Sequence, residues 1–180
     1  MTTGEDKTDF YKVYAKAHNN AVELLSEAQI LFGKEKYARA YFLAFTGLEE
    51  ISKSQLAADV YTKFIPEDKF WKHFRDHKNK IDRMQWTHDD ANSYPYDQIW
   101  LGPDIDDVER IAPTEPLWEK RQKSLYVEIA DDQITAPKEE IADSDAREII
   151  HILDTALHRI MEVTEYHGHQ IGTIDLFQLS

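Results

Sequence analysis

Two carboxylates and two cations stand in a stretch that is otherwise suited to a buried helix. Arg39, Glu49, Glu50 and Lys53 interrupt the alanine-rich, aromatic run YARAYFLAFTGLEEISK, Tyr37 to Lys53. At 100° per residue these four fall within one arc of about 100°. Tyr37, Ala40, Tyr41, Ala44, Leu48 and Ile51 gather on the opposite side, and Phe42, Leu43 and Phe45 fill the flanks. A helix that is apolar most of the way round is enclosed by neighbours, so its charged strip should face a partner or a cleft. A second stretch, Phe70 to Arg83, supplies the complement: Phe70, Phe74, Ile81 and Met84 form an apolar stripe with His77 in its middle. If the two stretches pair as an antiparallel helical hairpin, His77 or Lys80 comes near Glu49 or Glu50. A carboxylate there would orient the imidazole and raise its pKa, against the desolvation that lowers it. Two readings of these residues stay open. One is a satisfied internal network, because buried polar groups need partners whatever their role. The other is a cleft for a phosphate, a nucleotide or a protein ligand.

Charge singles out the same region. Residues 69 to 83 hold six Lys or Arg (Lys69, Lys72, Arg75, Lys78, Lys80, Arg83) against Asp76 and Asp82, a local +4. The whole chain carries −13, so the other 165 residues sum to −17. A field of that sign opposes general coating of nucleic acid or of an anionic membrane. Contact with RNA must therefore use the basic strip.

In order along the chain come GLEEISK, then about twenty residues later F-x-x-x-F-R-D-H-K-x-K, then SLYVE (Ser124 to Glu128), then a Pro137-led approach to a last helix. This combination resembles the AbiV family of abortive infection proteins, a branch of the HEPN superfamily of helical domains, and the resemblance covers most of the chain. It implies an all-α, HEPN-like bundle of four to five helices. It also implies phage defence by arrest of an infected prokaryotic host, with a homodimer as the working unit. Enzymatic members of the superfamily cleave RNA without metal, through an Arg followed after four to six residues by His, and Arg83-Met-Gln-Trp-Thr-His88 fits. On that pattern Arg83 would hold the scissile phosphate in a bidentate grip and His88 would move the ribose 2′-hydroxyl proton. The spacing is permissive, since seven arginines and eight histidines give about one such match by chance. The pair also lies near the end of the third helix, not beside the last helices, which departs from the catalytic branch. The alternative is a non-catalytic module whose Glu49, Glu50, Lys53, His77 and Lys80 shape a recognition surface for RNA or for a phage or host protein.

Other chemistries find less support. There is no cysteine, so disulfides, thiolate zinc sites and thiol nucleophiles are excluded. His73 with His77, or His151 with Asp154 and His158, lack the three or four converging ligands of a stable site, and no metal or cofactor is expected. A carboxylate-bridged bundle would want Glu-x-x-His, whereas Glu50 is followed three residues later by Lys53. No Gly-rich phosphate loop is present. No run approaches the 18 or so apolar residues of a membrane span, and MTTGEDKTD lacks the regions of a signal peptide, so the expected location is cytoplasmic.

The elements that must position these residues follow from periodicity. A stripe from Phe10 to Phe32 predicts a helix over about 8–32 that Gly33 ends. A second helix is expected over about 35–64, stopped by Pro66, and a third from Glu67 to about residue 88 or 90. Residues 92–116 contain Pro95, Gly102, Pro103, Pro113 and Pro116 and read as a long loop. A short helix over 116–125 and a strand or hairpin arm over 126–136 complete an insertion of about 92–136. Asp143 or Ser144 is the expected cap of a last helix, with Ala146, Ile149, Ile150, Leu153, Ala156 and Leu157 inward and Arg147, His151, Asp154 and His158 outward. His167-Gly168-His169 would mark its end. At 180 residues the whole reads as one domain.

Overall fold

A computed structural model describes residues 8–63, 65–75, 114–130 and 133–166, with backbone only at 114–117, 130 and 159–166. Six helices and one hairpin make up these residues: α1 (Phe10–Gly33), α2 (Tyr37–Tyr61), α3 (Glu67–Arg75), α4 (Thr114–Lys123), β1 (Glu128–Ala130), β2 (Gln133–Thr135), α5 (Pro137–Glu140) and α6 (Asp143–Tyr166). The fold is an all-α bundle, as the sequence predicts.

Helix α1 starts where Asp9 accepts a hydrogen bond from the Lys12 N–H at 3.0 Å, satisfying one of the donors that a helix start leaves open. It ends at Gly33, but the left-handed residue that turns the chain is Glu35, with φ of 56°. A three-residue connection leaves α2 no course but to run back along α1, and the two pack over much of their length. Small residues allow the approach, with Ala17, Ala21 and Ala28 of α1 buried against it. Helix α2 begins two residues later and ends three residues earlier than the sequence predicts. Lys63, with φ of 65°, breaks the chain ahead of Pro66, and the Ile65 N–H turns back to the Asp59 carbonyl at 3.2 Å. The helix-breaking conformation is thus taken up upstream of the proline itself.

Helix α2 is the centre of the molecule, with 16 of its 25 residues buried. Tyr41, Ala44, Phe45, Leu48 and Ile51 form the main core with Ile141 and with Ala146, Ile149, Leu153, Ala156 and Leu157 of α6. Its C-terminal half closes a second core, in which Leu56 and Ala57 meet Phe10 of α1 and Phe70 of α3, the two rings edge-to-face at 4.9 Å. The inward and outward faces of α6 are those the sequence predicts as far as residue 158. Its start differs: Ala142 precedes the helix, and Asp145, in the first turn, accepts the Ala142 N–H at 2.9 Å. The same carboxylate also binds Lys120 of α4 at 2.7 Å, tying α4 to the start of α6. Burial raises the Asp145 pKa, but the Lys120 hydrogen bond, the Ala142 N–H and the Lys120 charge together outweigh it and hold the carboxyl below its usual range.

Helix α6 packs tightly on α2 at Gly47, where a Cβ would lie 2.6 Å from one terminal methyl of Leu153 and 3.2 Å from the other. Leu153 is fully buried and cannot swing out into solvent. Gly47→Ala should therefore destabilise the protein by about 1–3 kcal/mol through overpacking. Combined with Leu153→Ala it should cost clearly less than the sum of the two single changes, as measured by urea unfolding. Additive costs would show that the new methyl does not meet Leu153.

Candidate functional site

The charged strip of α2 divides between two neighbours. Glu49 is only 4% exposed, and it faces Arg121 of α4, Oε2 to Nη2 at 4.0 Å, close enough for charge attraction but too long for a hydrogen bond. The Arg121 guanidinium is held by aromatic faces, its carbon 5.1 Å from the Phe42 ring centre and 5.2 Å from that of Trp118. Its Nε is buried and has no hydrogen-bond partner among the described residues. Ser124, fully buried at the end of α4, donates to the Arg121 carbonyl at 2.6 Å and fixes the helix end behind this arginine.

Beside it, Glu50 and Lys53 pair with each other along α2, both partly buried. The Lys53 ammonium also lies 5.5 Å from the centre of the Phe74 ring, contributed by α3. Phe74 in turn stacks on Phe70 at 5.3 Å, so the pair rests on the second core. Among the described residues, Arg39 stands exposed and makes no such contact. The helical arc gathered four charges, yet only the three toward the C-terminal half are covered, because α3 and α4 lie there.

The basic strip is placed in part. Lys72 and Arg75 are exposed on α3 beside Trp71, whose indole N–H donates to Glu67 at 3.3 Å, while Lys69 is half-buried. His77, Lys78, Lys80, Arg83 and His88 lie outside the described residues. The expected contact of His77 or Lys80 with Glu49 or Glu50 is therefore an open expectation, while Arg121 and Lys53 are the cations placed beside those carboxylates.

Sequence reasoning missed Arg121. It sits three residues after Trp118 and three before Ser124, so the i, i+3 spacing of an aromatic and an arginine just ahead of the SLYVE segment was its signal. The buried Ser52, Ser54, Gln55 and Asp59 on the second half of α2 were missed as well. Ser54 donates to the Ile51 carbonyl at 2.9 Å and accepts from Gln55 at 3.4 Å, local bonds that need no partner element. Tyr41 is buried at the start of α6. Burial first, then the Asp145 and Glu148 charges, push its hydroxyl pKa far above the ordinary value, so it stays a neutral phenol. Burial pulls the His18 pKa down, favouring neutral imidazole on α1.

Among the described residues, no three His, Asp or Glu side chains gather at metal-binding separation. His151 and His158 are exposed, and the His158 Nδ1 lies 2.9 Å from the Asp154 carbonyl and 3.4 Å from its carboxylate, a pairing along one helix. No helix among the described residues is long and apolar enough to cross a membrane.

An all-α bundle built around a long central helix, with a Glu-Glu-x-x-Lys strip covered by its neighbours, is an architecture of the HEPN type. The family model HEPN_AbiV, described as AbiV, matches residues 10–158, and the chain belongs to that family. Membership points to a function of the abortive-infection, HEPN type. No curated protein and no solved structure matches the chain.

Clamped between two rings and set against a buried carboxylate, Arg121 should be replaceable neither by alanine nor by lysine. Arg121→Ala is expected to cost about 1–3 kcal/mol in urea unfolding, from lost stacking between the two rings and lost attraction to Glu49. Arg121→Lys should recover only a minor part, because an ammonium cannot lie flat between two aromatic faces. A lysine variant as stable as the parent would reduce the contact to simple charge pairing.

Proposed function

We propose that this chain is an abortive-infection effector of a prokaryotic cell, acting in the cytoplasm on RNA as a metal-independent ribonuclease. The observation that carries the reading is the family match over residues 10–158, which spans both the Arg83–His88 spacing and the exposed basic side chains of α3. Lys72 and Arg75, with Trp71 beside them, supply what a single-stranded polyanion needs at first contact: cations for phosphates and a ring edge for a base. Further along the strip, Arg83 holds the scissile phosphate and His88 takes the proton of the adjacent 2′-hydroxyl. That oxygen attacks phosphorus as the bond to the 5′-oxygen breaks, and the leaving 5′-oxygen takes a proton from water, giving a 2′,3′-cyclic phosphate and a free 5′-hydroxyl. DNA lacks the nucleophile and should remain uncut.

Purified protein should therefore cleave single-stranded RNA in the presence of EDTA, with binding that weakens as salt rises. Arg83→Ala and His88→Ala should each lower the rate by about a hundredfold or more. A His88→Ala variant as fast as the parent, or RNA left intact by the parent, would exclude the catalytic reading. In its place would stand the non-catalytic binding module.

The working unit on this reading is a homodimer, the commonest symmetric assembly. Light scattering on a sizing column at tens of micromolar should return twice the chain mass of 21.1 kDa. A single species at the chain mass would remove the dimer from the proposal.

A further inference from the structure

Helix α3 is short and has one deep anchor. Phe70 is 1% exposed in the second core, whereas every other residue of α3 is at least partly open to solvent. A nine-residue helix held deeply at one side chain can pivot about it, so a second contact must fix which way its open face looks. At 100° per residue Phe70 and Phe74 share one side of α3, and the exposed Lys72 and Arg75 lie about 150° round from it, with Trp71 between. The orientation of Phe74 therefore governs that of the two cations.

Phe74 is seated by a charge. Its ring lies 5.5 Å from the Lys53 ammonium of α2, and that ammonium is held in turn by Glu50. The same ring stacks on Phe70 at 5.3 Å and meets Trp71 edge-on at 5.8 Å, so a run of direct contacts joins Glu50 to the exposed indole. Lys53 itself is a poor phosphate ligand, since its charge is matched by Glu50 and its side chain is only 22% exposed. Its place is beneath α3, on the side opposite Lys72 and Arg75.

We propose that Lys53, held by Glu50, is a positioning residue for RNA: by seating Phe74 it sets the orientation in which α3 offers Lys72, Arg75 and the Trp71 ring to a single strand. This role rests on the RNA reading above and assigns the control of that contact to α2. Glu50→Ala separates positioning from simple charge by sign. Losing a carboxylate relieves repulsion of a polyanion, so the field alone would tighten binding, whereas an ammonium freed from its partner leaves Phe74 unseated and weakens it. The probe is a fluorescein-labelled 2′-O-methyl oligouridine, read by anisotropy in EDTA, which cannot be cut because its 2′-oxygen carries no proton. Glu50→Ala and Lys53→Gln should each bind it about threefold or more weaker than the parent, and Lys53→Arg, which keeps a cation over the ring, should bind as the parent does. In Glu50→Ala the slope of log affinity against log salt should become shallower by about one although no cation has been removed, because Lys72 or Arg75 no longer meets its phosphate. A variant that is merely less stable keeps both affinity and slope at a temperature where circular dichroism shows it folded. If Glu50→Ala does not fold, Phe74→Leu, which keeps an apolar side chain against Phe70 but removes the ring, repeats the comparison. Equal or tighter binding by Glu50→Ala, an unchanged slope, or a Lys53→Arg variant as weak as Lys53→Gln would overturn the positioning role while leaving RNA binding by the parent intact. A parent that binds no oligouridine would remove the RNA reading, and this role with it.

Discussion

The structure turns on one constraint: α2 is covered on almost every side, yet carries charges that cannot be left alone in a low-dielectric interior. Stranding a buried carboxylate costs several kcal/mol, so elements brought over Glu49 and Glu50 must bring cations with them. Arg121 arrives from α4 and Lys53 from α2 itself, and each is seated on rings (Phe42 and Trp118 for the first, Phe74 for the second). The aromatic content of α2, α3 and α4 thereby serves two ends. It supplies apolar area for the cores, and it holds the counter-charges at a set distance from the glutamates.

The same constraint sets how the parts are joined. Helix α4 is anchored by two adjacent residues, Arg121 over α2 and Lys120 on Asp145 at the head of α6. Through Lys123 it extends to Glu128 and Glu140, so three of its last four residues each bind a different element. A helix of low intrinsic apolarity is thus placed largely by charge, whereas α1, α2 and α6 are placed by alanine and leucine packing. The hairpin that follows meets α4 through Lys123 and Glu128, with its isoleucines on the outward side.

Much of the fold was legible in the sequence because it rests on local periodicity. The stripes of α1 and α6, the near-complete apolar coverage of α2, and the hairpin after the SLYVE segment all follow from which residues recur at helical or strand spacing. Boundaries were less legible. The end of α2 was expected at Pro66, but Lys63 takes the left-handed conformation first, a choice made by the Ile65-to-Asp59 hydrogen bond as the chain turns toward α3. The cap of α6 was expected at Asp143 or Ser144, but Asp145 performs it, since that side chain alone also reaches Lys120.

For the candidate site, the sequence by itself determined which residues are charged, that Glu49, Glu50 and Lys53 share an arc, and that the arc must be covered. It also determined that residues 69 to 83 form a basic island in an acidic chain. Only the tertiary structure decided which cation covers which carboxylate. Helical phase fixes neighbours along one helix, but the pairing of Glu49 with Arg121, 72 positions apart, depends on where α4 comes to rest. That in turn depends on Lys120 and Asp145 meeting at the head of α6. Likewise, strand alternation gave the hairpin two unlike faces, but that the isoleucines look outward while Glu128 lies beside Lys123 is a fact of packing that no spacing along the chain contains.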